Sequence, residues 1–348
     1  METLWFVLVV LMLVGYVLLD GFDLGAGAVS VFVARDDESR RKILQSIGPV
    51  WDGNEVWLLA AGGTLFYAFP LLYASGFSGF YLPLNIVLWL LIFRAMGIEF
   101  RAQVSATVWR DFFDGAFSIA STLLIVFFGA ALGNVMRGVP LGADRYFFLP
   151  LWTDFRPGAQ PGILDWYTIL CGVATLAATA MHGALYLVVK TEGALNERLR
   201  GAVRRLWPAV LVLSAGALAA SIAVRPSLLD NYRQNPAGWL LPALVAGALA
   251  GVAAFTRARR ERAAFLSSCV YIVATLGGAA LALYPTLLPS SGDPANAITI
   301  GNAAAGKESL AAGLVWWISG MAIALGYFVL VYRMFKGKVR DQPAGHGY

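Results

Sequence analysis

Residues 48–63 read GPVWDGNEVWLLAAGG. The stretch opens as a loop, with Gly48 and Pro49, and closes as an apolar helix. Between the two lie Asp52, Asn54 and Glu55. Asp52 and Glu55 stand three residues apart, so a helix carries both carboxyls on one face, about 4.5 Å apart along its axis. An ionisable group inside a bilayer costs about 2.5–3.5 kcal/mol on insertion scales. Acids at the mouth of an apolar helix therefore need a reason. How they are read decides whether this is a surface loop or the start of a membrane span.

The rest of the chain favours the span. Of 348 residues, 59% are hydrophobic and 14% charged, against about a quarter charged in soluble domains. A crossing needs about 20 apolar residues. Nine stretches qualify, at 4–33, 50–73, 77–98, 114–136, 163–189, 203–224, 238–256, 264–288 and 310–335. The expectation is an all-α polytopic membrane protein with nine transmembrane helices, residues 1–348 forming a single integral membrane domain. The linkers 137–162, 225–237 and 289–309 carry the Pro, Gly, Asp and Asn of surface connections, and the tail GKVRDQPAGHGY reads as a short disordered end. Only METLW precedes the first apolar run, without the basic segment of a cleaved signal peptide, so the first span is expected to stay.

The net charge of +5 follows a pattern. Lys and Arg crowd the first, third, fifth and seventh connections and the tail. The other connections hold only Arg137, Arg145, Arg156, Arg225, Arg233 and Lys307. The positive-inside rule then puts the N-terminus outside and the C-terminus in the cytoplasm, which agrees with an odd number of spans. Topology accounts for the basic excess, and no nucleic-acid partner is required. Most Trp residues stand near span ends, where they read as anchors at the lipid interface. Cys171 and Cys269 lie in apolar spans and read as small buried hydrophobes. Cys and His show no metal-binding spacing, and no metal is expected.

The acids recur in register. Asp20 and Asp23, in LLDGFDLGAG of the first span, repeat the three-residue spacing of Asp52 and Glu55. Glu99 and Arg101 end the third span in FRAMGIEFR, which also holds Arg94. With the topology above, Asp23, Asp52, Glu55 and Glu99 gather toward the cytoplasmic side of three consecutive spans, among glycines that allow close helix approach. Buried acids grouped in this way can pass protons inward. Structural alternatives stand beside that reading. Asp52 could cap its helix, Asp20 and Gly21 could hold an unwound turn, and Glu99 could pair with Arg94 or Arg101. Asn54 and Glu55 would hold the local geometry or bind water. Trp51 and Trp57 would seat the helix at the interface or against a neighbour. Only His182 and His346 are present, so several haems cannot be ligated here. One haem between His182 and Met181 or Met96 is conceivable, and a polar contact between helices is the simpler reading of His182. The chain has no Walker loop, dinucleotide fingerprint or hydrolase triad.

Taken together, LLDGFDLGAGAV, GPVWDGNEVWLLAAGGTLFYAFPLLYA and FRAMGIEFR resemble subunit II of the cytochrome bd-type quinol oxidases, including the cyanide-insensitive branch. HGALYLVVKTEG, YPTLLPSS and ITIGNAAAGKESL extend the resemblance over nearly the whole chain. The resemblance implies a bacterial inner-membrane complex that oxidises quinol and reduces O2 to water. It implies a fold of two four-helix bundles plus one peripheral helix, packed on a similar subunit I that carries the haems b and d. No cofactor is then expected in this chain, apart from a structural quinone found in some members. Small accessory subunits are a further implied partner, besides membrane lipid. The resemblance also implies a proton path through Asp23, Asp52 and Glu99. Glu99 stands where some members have Asp, and His182 where others have an amide residue. The rival reading is a proton- or ion-coupled secondary transporter built on the same acids. It would be stable and active without a partner, whereas an oxidase subunit would not.

Overall fold

The computed structural model describes residues 1–339; of the tail expected to be disordered, residues 340–348, His346 among them, lie outside the described residues, while Lys338 and Val339 are held by hydrogen bonds. Helix α1 runs unbroken over Glu2–Val33. The unwound turn considered at Asp20 and Gly21 is therefore absent, because α1 is packed on several sides along its length. A short surface helix, α2 (Asp37–Ile47), follows. It is capped by Asp36, whose side chain accepts the Ser39 N–H at 2.7 Å.

The second expected span is two helices, α3 (Trp51–Ala68) and α4 (Pro70–Gly79). Pro70 has no N–H to continue α3 and disfavours helical backbone at Phe69, which sits at φ −134° and ψ 65°. The start of the third expected span, at 77, falls inside α4, and α5 occupies Tyr81–Glu99. Then come α6 (Thr107–Arg137), α7 (Trp166–Lys190) and α8 (Gly193–Val224). The last of these begins ten residues before the apolar stretch that marks it, because its first turns are amphipathic rather than apolar. A short α9 (Asp230–Gln234) leads to α10 (Leu240–Arg257) and α11 (Glu261–Leu283). The expected span to 288 stops at Leu283, two residues before Pro285. Beyond it, β1 (Thr286–Leu288) pairs antiparallel with β2 (Ile298–Thr299). Helices α12 (Ile300–Ala303) and α13 (Lys307–Met334) complete the described chain.

Among the described residues, eight helices are long and apolar enough to cross a membrane, one fewer than the nine stretches expected. The missing one is α3, whose 18 residues include Asp52, Asn54 and Glu55 and are cut short at Pro70. Helix α1 is the centre of the packing, in contact with α3, α6 and α7 and more lightly with α11. Helix α5 packs on α6, α8 on α7, and α10 on α11. At the α1–α7 crossing, Gly25 meets Gly183. A Cβ on Gly25 would fall onto the Thr179 carbonyl and within 2.9 Å of the Gly183 backbone, so only glycine lets the two backbones meet.

Helix α13 differs from the others: none of its most apolar stretch is buried in the chain. It is tied at its ends. The Trp5 indole donates to the Leu310 carbonyl at 3.2 Å, and the Tyr67 hydroxyl donates to that of Ser309. At the other end Lys338 donates to Glu261 at 2.6 Å and to the Val188 and Thr191 carbonyls at 2.9 Å.

Candidate functional site

Arg94 is the only charged residue in the apolar body of α5, and it is completely buried. Its guanidinium forks onto the Asp20 carboxylate, which is equally buried. Nη1 donates to Oδ2 at 2.9 Å, and Nη2 donates to Oδ1. Nη1 also reaches Glu55 at 3.4 Å. Trp51 lies against the cation, its ring centroid 5.8 Å from the guanidinium carbon. Thus α1, α3 and α5 each contribute to one charged cluster. The fork explains why an arginine is needed: its planar donors match both carboxylate oxygens.

Asp23 is the second buried acid of α1. Its Oδ2 accepts from the Asn54 amide at 2.7 Å, while its Oδ1 has no hydrogen-bond partner. Asn54 Oδ1 in turn accepts from the Tyr332 hydroxyl of α13 at 2.9 Å. The Tyr16 hydroxyl and Arg94 Nε are also buried without partners. Trp57 packs on Gly15 of α1 and on Phe328 of α13, so it seats α3 against neighbouring helices.

Two sequence-marked acids stand apart from this cluster. The residue at the cap position of α3 is Val50, and Asp52 is the second helical residue, exposed and without a hydrogen bond or ion pair among the described residues. The capping role considered for Asp52 is thus not its role; the helix begins two residues too early. Glu99 ends α5, exposed and likewise unpaired. It pairs with neither Arg94 nor Arg101, because both guanidinium groups are engaged elsewhere.

Arg101 belongs to a second network, at the ends of α2, α5 and α6. Its Nε donates to Asp114 at 2.6 Å and its Nη2 to Asp37 at 2.6 Å. Arg40 bridges Asp111 at 2.7 Å and Asp114 at 3.1 Å. Asp37 lies outside the spans. Partial burial would raise its carboxyl, but the Arg101 hydrogen bond and charge, with Arg110 and Arg41, hold it below the ordinary aspartate value. A lowered folded-state value means stability that is complete above about pH 4, the unfolded aspartate value, and lost as pH falls through the folded one. The melting temperature of the detergent-solubilised protein is therefore expected to fall below about pH 4. Arg101→Gln should flatten that part of the curve; an unchanged acid limb would exclude the Arg101–Asp37 contact as its source.

His182 lies between α1, α7 and α11 with both ring nitrogens engaged. Nε2 stands 3.0 Å from the Leu18 carbonyl and Nδ1 2.7 Å from the Ser268 hydroxyl. A carbonyl only accepts, so Nε2 carries the hydrogen; the Ser268 hydroxyl lies within hydrogen-bond distance of Nδ1 and donates to the Phe265 carbonyl at 2.6 Å. Neither nitrogen is free for iron, and among the described residues no group of three or more His, Cys, Asp or Glu could hold a metal ion. His182 therefore does not fit the haem ligand considered for it. His182 is the polar contact between helices.

Sequence reasoning missed Tyr332, Asp111, Asp114 and the buried Arg137–Asp165 pair. Asp111 and Asp114 had a signal, a three-residue spacing beside Arg110. Tyr332 had none, since a tyrosine near a span end reads as an interface anchor.

These features define a class: a helical membrane protein whose buried polar groups join its helices to one another. The family is narrower. The chain belongs to the family described as cytochrome bd terminal oxidase subunit II, which matches residues 1–335. It is 31% identical over 357 residues to the cytochrome bd-I ubiquinol oxidase subunit 2 of Escherichia coli, covering 94% of this chain and 91% of that one. The Bacillus subtilis cytochrome bd ubiquinol oxidase subunit 2 is 29% identical, with 97% of each chain covered. A chain in the bd oxidase structure from Geobacillus thermodenitrificans shares the fold, with a TM-score of 0.74 at 18% identity over 96% of this chain and 98% of that one.

Proposed function

We propose that this chain is the non-haem subunit II of a bd-type quinol oxidase in the bacterial inner membrane. There it supports assembly of the haem-bearing subunit I and delivers protons from the cytoplasm for O2 reduction to water. The family match over residues 1–335 carries the assignment. In this reading α3 with α4 is the ninth crossing, and residues 1–348 form one membrane-embedded unit. Helices α1, α3–α4, α5 and α6 make one four-helix group, α7, α8, α10 and α11 the other, and α13 is peripheral. The N-terminus lies outside and the C-terminus in the cytoplasm. Quinol, the haems b and d, any accessory subunits and a structural quinone belong to the complex.

The proton role rests on one arrangement. Exposed Asp52 stands one helical turn from half-buried Glu55, which touches Arg94 beside buried Asp20; Asp23 is three residues further along α1. The unpartnered Asp23 Oδ1 is a carboxylate oxygen open to a water or a proton. Helix α1 is continuous, which removes one broken helix from the transporter reading.

Purification from native membranes in mild detergent tests the assignment. A second large subunit with b- and d-type haem bands should co-purify, and a haem-free chain that is well folded alone would sink it. In the assembled complex, Asp52→Asn and Asp23→Asn should each slow oxygen consumption and proton uptake about a hundred-fold, the lower end of the scale for a lost proton-transfer group. Unchanged rates with full assembly would leave these acids a structural role only.

A further inference from the structure

We propose that Tyr332 is a positioning residue for the carboxyl group of Asp23, acting through Asn54. The proposal rests on the proton-relay reading above.

Asn54 is completely buried between two elements that are distant in sequence. On one side are Asp23 Oδ2 at 2.7 Å and the Leu19 carbonyl at 3.4 Å, both on α1. On the other is the Tyr332 hydroxyl of α13 at 2.9 Å. The Leu19 carbonyl can only accept, and so can an ionised Asp23. The amide NH2 must then face α1, its oxygen must face α13, and Tyr332 must donate. Among the described residues, that hydroxyl is the one donor to Asn54 Oδ1.

A proton on the unpartnered Oδ1 leaves this arrangement as it is, but a proton on Oδ2, the oxygen that Asn54 holds, reverses the requirement. The carboxylic O–H now needs an acceptor, so the amide turns its oxygen to Asp23 and its NH2 to Tyr332. The long contact to Leu19 is the one bond given up, and at 3.4 Å it is weak. A hydroxyl both donates and accepts, so Tyr332 satisfies either orientation. Among the described residues, no other group facing Asp23 can do this. Arg94 on α5 is engaged by Asp20 and Glu55, and Tyr186 on α7 donates to the Ser46 carbonyl at 3.0 Å. Asp20 on α1 and Glu55 on α3 are themselves held by Arg94. The orientation of one buried amide thus follows the protonation of Asp23 Oδ2, and α13 supplies the group that keeps the amide paired in both orientations.

The test uses the assembled oxidase and infrared difference spectroscopy between oxidised and reduced states. The carboxyl band of Asp23 is the one lost in Asp23→Asn. Tyr332→Phe removes only the hydroxyl. It should move that band and slow oxygen consumption about five-fold, the scale of one buried hydrogen bond. Asn54→Leu cuts the same bridge from α3, should move the band as well, and does not depend on the fate of the tyrosine variant. Adding Tyr332→Phe to Asn54→Leu should change nothing further. A band that stays in place in either single variant overturns the positioning role and leaves the relay intact. A fall in the amount of complex with an unmoved band makes the contact structural only, which also overturns it. If Asp23→Asn loses no band, the relay reading itself fails, and the positioning role with it.

Discussion

Arg94→Gln is expected to remove most of the protein from the membrane. The substitution leaves the Asp20 carboxylate, now completely buried, without the cation that both of its oxygens contact. Breaking a buried pair from one side costs about 3–5 kcal/mol, a large share of the roughly 5–15 kcal/mol that holds a folded domain. Glu55 loses its cation as well. Arg94→Lys should recover only part of the loss, because an ammonium cannot form the two parallel bonds of the fork. The informative variant is the double one. Asp20→Asn with Arg94→Gln removes both charges and should be more stable than Arg94→Gln alone, since the uncompensated charge is gone. Membrane levels and the melting temperature of the solubilised complex measure all three. Wild-type accumulation of Arg94→Gln would mean that the fork contributes little.

Gly183→Val is expected to open the α1–α7 crossing. A Cβ at residue 183 would sit on the backbone of Gly25 and Ala26, and backbone cannot turn aside as a side chain can. Overpacking of this kind costs about 1–3 kcal/mol where side chains can adjust, and backbone against backbone should lie at or above that range. The loss should be read as a lower melting temperature and as weaker retention of whatever the complex holds. Gly62→Ala is the matched control, because a Cβ there meets nothing within 4 Å. It should lie within about 0.5 kcal/mol of wild type. Equal losses at the two positions would show that the crossing is not the sensitive point.

The fold was legible where apolarity alone decides it. Eight long apolar helices lie on eight of the expected stretches, with ends displaced where amphipathic turns or proline intervene. The stretch after Pro49 was the hardest to read for a physical reason: Asp52, Asn54 and Glu55 lower the apolarity of α3, and Pro70 divides the stretch. Within the candidate site, spacing along a helix paired Asp20 with Asp23 and Asp52 with Glu55; the structure buries the first pair and divides the second, with Asp52 exposed and Glu55 against Arg94. Pairing across helices was not legible. The sequence offered Glu99 as a partner for Arg94, and only the packing of α1 against α3, with α5 beside them, assigns it to Asp20 and Glu55 instead. Tyr332 lies 278 residues from its partner Asn54, a separation at which no local pattern carries information.

Helix α13 follows every other described helix in the chain, so it leaves the ribosome after them. During synthesis, Asn54 and Asp23 are therefore made while the tyrosine that donates to Asn54 is still unmade. Until that hydroxyl arrives, Asn54 Oδ1 is without its donor. A nascent chain halted before residue 332 would hold α1 and α3 with that one bond missing. Order of synthesis thus completes this polar chain only after the helices around it have been made.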